Sequence, residues 1–216
     1  MTTRAEIASA CDVRCVRVDD VLPDDAAYES AHSRLPAWRR RKCDAFRFPA
    51  DRRRSVAAWL LLRQMLAERG LDVDSIAVSE NAFGKPAFDP SVGLHFSISH
   101  AGDRVMAAVS DAEIGCDVER IAPVDGGMLR AVLCEAERAW LAELPGAARD
   151  RAFIWLWVRK ESYVKAVGRG LDVAPATFSA LAVPPTSGWT WRDFDSGDGH
   201  LGCVCTRLKR GRKQLP

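Results

Sequence analysis

Residues 150–167, DRAFIWLWVRKESYVKAV, constrain this chain more than any other stretch. The turns FIWLWV are apolar all round, as in a helix packed on every side, and GRG from Gly168 to Gly170 supplies a stop. Lys160, Glu161 and Lys165 then follow in the same helix. A buried helix carries charge only at a cost unless each charge is partnered. Trp157, Glu161 and Lys165 recur every four residues and so share one face. A surface pair between Glu161 and Lys165 would contribute only about 0.3–0.5 kcal/mol, which is little reason to place charge in an apolar helix. A water-filled cleft holding phosphate and metal would satisfy all three charges at once, so Lys160, Glu161 and Lys165 are all expected to face such a cleft.

The rest of the chain supplies two comparable halves around that helix. PADRRRSVAAWLLLRQMLAERG, opened by Pro49 and Asp51, has Val56, Trp59, Leu60 and Leu66 near helical spacing and predicts a second long helix ending at Gly70. After the loop NAFGKPAF, the segment LHFSISH alternates Leu94, Phe96 and Ile98 with His95, Ser97 and Ser99, as a half-buried strand does. AGDR is a turn, and VMAAVS and IGCDVE complete an expected antiparallel meander of three short strands. CEAERAWLAEL predicts a short helix, WTWRDFD and HLGCVCTRL a hairpin around SGDG, Pro184 and Pro185 a loop, and KRGRKQLP a solvated tail. Each half offers a long helix and a few strands, an α+β pattern divided at 1–105 and 106–216.

Composition narrows the function classes. A chain of 216 residues, 48% of them hydrophobic, can build a substantial core, while a formal net charge of +2 provides no global field for nucleic acid or membrane. No segment reaches the roughly 18 apolar residues of a membrane span. The odd number of cysteines is no disulfide framework, and MTTRAEIASACDVRC has neither a basic start nor an apolar run, so a cytoplasmic chain with reduced thiols is expected. Cys11 with Cys15, and Cys203 with Cys205 and His200, match no standard zinc spacing.

In IGCDVE the strand period of two sends Ile114, Cys116 and Val118 to one face and Asp117 and Glu119 to the other. The two carboxylates suit either an exposed strand face or a cation site, and oxygen ligands of this kind suit magnesium, which takes one or two carboxylates plus substrate phosphates. His100 ends its strand just before the turn, where it serves either the framework or the same cleft. Together, paired strand carboxylates, a helix glutamate, two lysines and a strand-end histidine make the anion-and-metal constellation that phosphoryl transfer needs.

FGKPAF, HFSISHAG, IGCDVERI and FIWLWVRKESYVKAVGRGL, in that order and with those separations, resemble the 4'-phosphopantetheinyl transferases of the larger, two-half type. RKCDAF and DRRRS extend the likeness towards the N-terminus. The resemblance implies a pseudo-twofold α+β fold with the active site between the halves, acting as a monomer. It implies magnesium-bound coenzyme A as donor and the serine of an apo acyl or peptidyl carrier protein as acceptor, with adenosine 3',5'-bisphosphate released. By the same resemblance Asp117, Glu119 and Glu161 are the metal ligands, and His100 and Lys165 contact the pyrophosphate. Lys85 and Ser99 fall on nucleotide-contacting positions, and Arg39, Lys42, Arg54 and Ser55 on the basic region that receives the 3'-phosphate or adenine. Glu161, Lys165 and His100 are expected to carry the chemistry, with Glu161 the base that takes the serine proton, directly or through a metal-bound water. Glu137 fits a glutamate that the family has after the metal strand. The sequence departs from the pattern at Ser97, where asparagine is usual, and at Ala101, where serine is common.

Two other classes remain open at this point. A basic-patch nucleic-acid binder accounts for WRRRK, DRRRS and RLKRGRK but leaves Asp117, Glu119 and Glu161 unexplained. A non-catalytic coenzyme A binding module of the same fold would keep every titrating position.

Overall fold

A computed structural model describes residues 11–208; the first ten residues and the KRGRKQLP tail lie outside them. The first half runs β1 (Cys11–Arg17), α1 (Val18–Val21), α2 (Asp25–Ser33), α3 (Ala37–Asp44), α4 (Pro49–Ala67), the small hairpin β2 (Val78–Glu80) and β3 (Pro86–Phe88), then β4 (His95–Ala101) and β5 (Arg104–Ser110). The second runs β6 (Ile114–Arg120), α5 (Gly126–Val132), α6 (Glu135–Ala142), α7 (Gly146–Val167), β7 (Trp189–Asp195) and β8 (His200–Arg207). Each half holds a three-stranded antiparallel sheet, in the orders β1-β5-β4 and β6-β8-β7. The architecture is α+β with two matching halves.

α4 forms as its spacing predicts. Pro49 occupies the first helical turn, where its missing N–H costs nothing, and Val56, Trp59, Leu62, Met65 and Leu66 are buried against Phe96, Val105, Ala107 and Val109 of the first sheet. α7 starts at Gly146, directly after Pro145, four residues earlier than the expected Asp150, and closes on Gly168 in the left-handed conformation.

The three-strand meander is not what forms. β4 and β5 make the expected hairpin, but β6 leaves that sheet and pairs along its whole length with β8. The reason lies in VMAAVS, which has no polar face. One face of β5, Val105, Ala107 and Val109, packs with α4, so Met106 and Ala108 on the other need a second cover. Ile114, Cys116, Val118 and Val204 provide it, and the two sheets meet across that cluster. The expected division at 105/106 falls inside β5, every residue of which pairs within the first sheet. A boundary in the turn at 111–113 keeps each sheet whole.

β6 is also where α7 comes closest. A Cβ on Gly115 would stand 2.2 Å from the carbonyl oxygen of Ser162 and 2.3 Å from the amide nitrogen of Ala166, so only glycine lets helix and strand backbones touch here. That contact brings the charged face of α7 onto the carboxylates of β6.

Candidate active site

Asp117 is the centre of the arrangement. Its Oδ1 accepts from Lys165 Nζ of α7 at 2.6 Å and from Ser99 Oγ of β4 at 2.7 Å, and Lys165 also donates to Ser99 Oγ at 3.0 Å. Three elements from both halves thus converge on one carboxylate. Asp117 is buried, and its Oδ2 has no hydrogen-bond partner among the described residues. Burial acts to lower the Lys165 pKa, but the contact with Asp117, helped by Cys116 and Glu161, outweighs it and holds the ammonium above its usual value. Lys165 therefore pairs across to the strand and not, as a surface pair would, with Glu161.

Two further carboxylates face Asp117. Burial, and then repulsion by Asp117, lifts Glu119 to about 7, against a lowering from the Trp157 indole that donates to it at 3.4 Å. Glu161 is raised for the same two reasons, partly offset by Lys165. The folded pKa of Glu119 lies above its ordinary 4.5, so the folded state holds a proton that the unfolded chain releases as pH rises. Stability is therefore lost between about pH 4.5 and pH 7, by about 3 kcal/mol at most. The melting temperature of the metal-free protein is expected to fall across that window, and Glu119→Gln to flatten the slope; an unchanged slope would show that another group titrates.

Arg39, Lys42, Ser55, Ser99 and His100 open onto one cavity of about 360 Å³ with Asp117, Glu119, Glu161 and Lys165. Arg39 is buried and donates to the carbonyl and hydroxyl oxygens of Ser55, at 2.7 and 2.8 Å. Among the described residues no carboxylate pairs with it, and burial lowers its pKa. Burial, followed by the charges of Arg54, Lys165 and Arg39, pushes His100 down to about 4, which favours a neutral ring at neutral pH. Lys42 pairs with Glu80 at 2.8 Å, and Arg54 with Asp51 while donating to the Gly102 carbonyl at 3.1 Å. Phe46, which the sequence reading did not single out, lines the same cavity and meets the His100 ring edge-on at 5.6 Å.

The other two lysines differ in their placement. Lys85 Nζ donates to the carbonyls of Ile114 and Ala166, at 3.1 and 3.0 Å, and borders an adjoining cavity of about 340 Å³ with Phe83, Ile98 and Val164. Lys160 does not face the cleft at all. It is fully buried, pairs with Glu137 at 2.7 Å and donates to the carbonyls of Pro175 and Phe178 at 2.7 and 2.6 Å, which occupies all three of its protons. Glu137 in turn accepts from the amides of Cys134 and Ala180, at 3.0 and 2.7 Å. One residue is a turn of about 100° on a helix, enough to send Lys160 to a different face from Glu161.

The chemistry of the donor set suits a hard cation: three carboxylates that repel one another, one with a buried oxygen that has no partner among the described residues. Among the described residues, no group of three or more ligating side chains is drawn together closely enough to hold a metal by itself. This is compatible with magnesium, which borrows ligands from water and substrate phosphates.

Two family models match consecutive stretches of this chain: 4'-phosphopantetheinyl transferase, N-terminal, over residues 22–112, and the 4'-phosphopantetheinyl transferase superfamily over 113–200. The chain belongs to the 4'-phosphopantetheinyl transferase superfamily. Curated members similar to it include 4'-phosphopantetheinyl transferase psf-1 of Bacillus pumilus, 32% identical over 143 residues, covering 66% of this chain and 61% of that protein. Sfp of Bacillus subtilis (strain 168) is 30% identical over 142 residues, 65% of this chain and 63% of its own length. AcpT of Salmonella typhi is 38% identical over 117 residues, 52% and 59% respectively. The chain thus spans less than two thirds of the length of these relatives.

The two superfamily models join between residues 112 and 113, in the turn where the chain changes sheets. Ser97, one of the two departures from the superfamily pattern, accepts from the amide of Cys116 at 3.0 Å and so ties β4 to β6 beside the Asp117 cluster. Among the described residues, no helix of this superfamily member is long and apolar enough to cross a membrane.

Proposed function

We propose that this protein transfers the 4'-phosphopantetheine arm of coenzyme A to a serine of an apo acyl or peptidyl carrier protein. The observation that carries the reading is one cavity in which a buried guanidinium with no carboxylate partner among the described residues and a neutral histidine face a carboxylate-bound lysine and two further acids. Arg39 and Lys42, with Arg54 beside them, suit the 3'-phosphate and adenine. His100 and Lys165 suit the pyrophosphate, whose arrival raises the histidine pKa and makes it a second cation. Asp117, Glu119 and Glu161 would hold magnesium, which would neutralise charge on the pyrophosphate. The adjoining cavity shares Pro86, Ile98, Glu161 and Lys165 with the first, and its largely apolar wall suits the pantetheine arm.

In the reaction the serine hydroxyl oxygen bonds to the β-phosphorus while the bond from that phosphorus to the bridging oxygen breaks. Adenosine 3',5'-bisphosphate leaves with the electron pair, stabilised by Lys165 and His100. The serine proton passes to Glu161. Residues of both halves complete the cavity within one chain, which supports a monomer, and all seven cysteines are free, which supports a reducing, cytoplasmic setting.

The test is direct. Incubation with coenzyme A, magnesium and several apo carrier proteins is expected to add one phosphopantetheine mass to a carrier. No added mass on any carrier, with coenzyme A still bound, would leave a binding module without catalysis.

A further inference from the structure

Lys85 takes no part in the bond changes just described and borders the adjoining cavity, and its ammonium crosses from the first half into the backbone of the second beside the Asp117 cluster. Its two acceptors are well placed. Ile114 opens β6, three residues before Asp117, and Ala166 follows Lys165 directly on α7. Between them lies Gly115, where strand and helix backbones touch. The same loop makes a second crossing: Asn81 Nδ2 donates to the Gly168 carbonyl at 2.7 Å, while Asn81 Oδ1 accepts from the amides of Phe83 and Lys85 at 2.9 and 3.0 Å and so shapes the turn. The last carbonyls of a helix lack intrahelical partners and carry partial negative charge. Here both carbonyls that flank the end of α7 are satisfied by the other half of the molecule.

We infer that Lys85, supported by Asn81, is a positioning residue that clamps the C-terminal turn of α7 to the start of β6 and thereby sets the spacing of Lys165 and Glu161 against Asp117. The inference rests on the transfer reading only for its kinetic consequence. Burial draws the Lys85 pKa down to about 8, so at neutral pH an ammonium is retained in a place that favours the neutral form, consistent with the two carbonyls holding it. A Cβ on Gly168 would stand 2.9 Å from Lys85 Cδ and 3.2 Å from Asn81 Nδ2, so both side chains lie directly against the end of α7.

The test compares Lys85→Met and Asn81→Ala with the wild-type chain in three measurements. Misplacing a reacting group by about 1 Å can cost on the order of 100-fold in rate, so Lys85→Met is expected to lower kcat 10- to 100-fold, with Asn81→Ala smaller in the same direction. The affinity for adenosine 3',5'-bisphosphate is expected to stay within about twofold. Amide hydrogen exchange is expected to quicken at residues 162–168 and 114–117 while α4 stays protected. A tenfold loss of bisphosphate affinity with kcat retained would make Lys85 a nucleotide contact and overturn the inference. So would a lowered melting temperature with faster exchange throughout and unchanged kcat, which is a plain stability role. If Lys85→Met fails to fold, Asn81→Ala decides by the same criteria. If the wild-type chain modifies no carrier, the transfer reading falls, and the clamp stands or falls on the exchange pattern and bisphosphate affinity alone.

Discussion

Glu161→Gln is expected to lower turnover at least about 100-fold at saturating coenzyme A and carrier, and added magnesium is expected not to restore it. Glutamine keeps the size of the side chain but cannot hold a proton. Glu161 borders both cavities, which supports the proposed role beside the acceptor serine. Burial and the neighbouring Asp117 raise its pKa, which makes it a stronger base than an exposed glutamate while Lys165 limits the rise. A glutamate that only ligated metal would behave differently, because its loss would lower metal occupancy and excess magnesium would recover the rate. Full recovery would therefore refute the base role and leave the ligand role standing.

Lys160→Met is expected to destabilise the fold by about 3–5 kcal/mol, seen as a lower urea midpoint and a melting temperature down by roughly 10 °C. Lys160 and Glu137 are both 0% exposed, so removing the lysine strands a carboxylate with no water to solvate it. It also frees the carbonyls of Pro175 and Phe178, which the ammonium holds. Glu137→Gln should be destabilising as well, and the double variant less so than the two single effects added, since the stranded charge then disappears. Additive losses would indicate that the two groups are solvated independently. The pair matters for function only through architecture: it fastens α6 and the segment at 175–180 to the outer side of α7, leaving the inner side for Glu161 and Lys165.

Much of the candidate site could be read one-dimensionally. The alternation in IGCDVE put Asp117 and Glu119 opposite Ile114, Cys116 and Val118, and those three are completely buried, because a strand's period of two depends on nothing beyond the strand. The repeat at Trp157, Glu161 and Lys165 likewise marked one helical face, and Trp157 and Lys165 reach Glu119 and Asp117 from it. The order of the motifs was enough to indicate the superfamily.

Other features depended on neighbours far away in the chain. The apolar run of β5 could not tell whether β6 would extend its sheet or cover its second face. That choice was made by β8, some 85 residues on, which offers β6 a full ladder. Lys160 and Glu161 are adjacent letters with opposite fates, because the charge that captures Lys160 sits on α6, 23 residues earlier, and its carbonyls on a loop after α7. Lys85 lies in a motif that indicates nucleotide, yet its ammonium goes to carbonyls 29 and 81 residues away. Periodicity determines how a residue is rotated about its own helix or strand. Which group it meets there is decided by burial, since a charge removed from water takes whatever partner the assembled fold brings within reach.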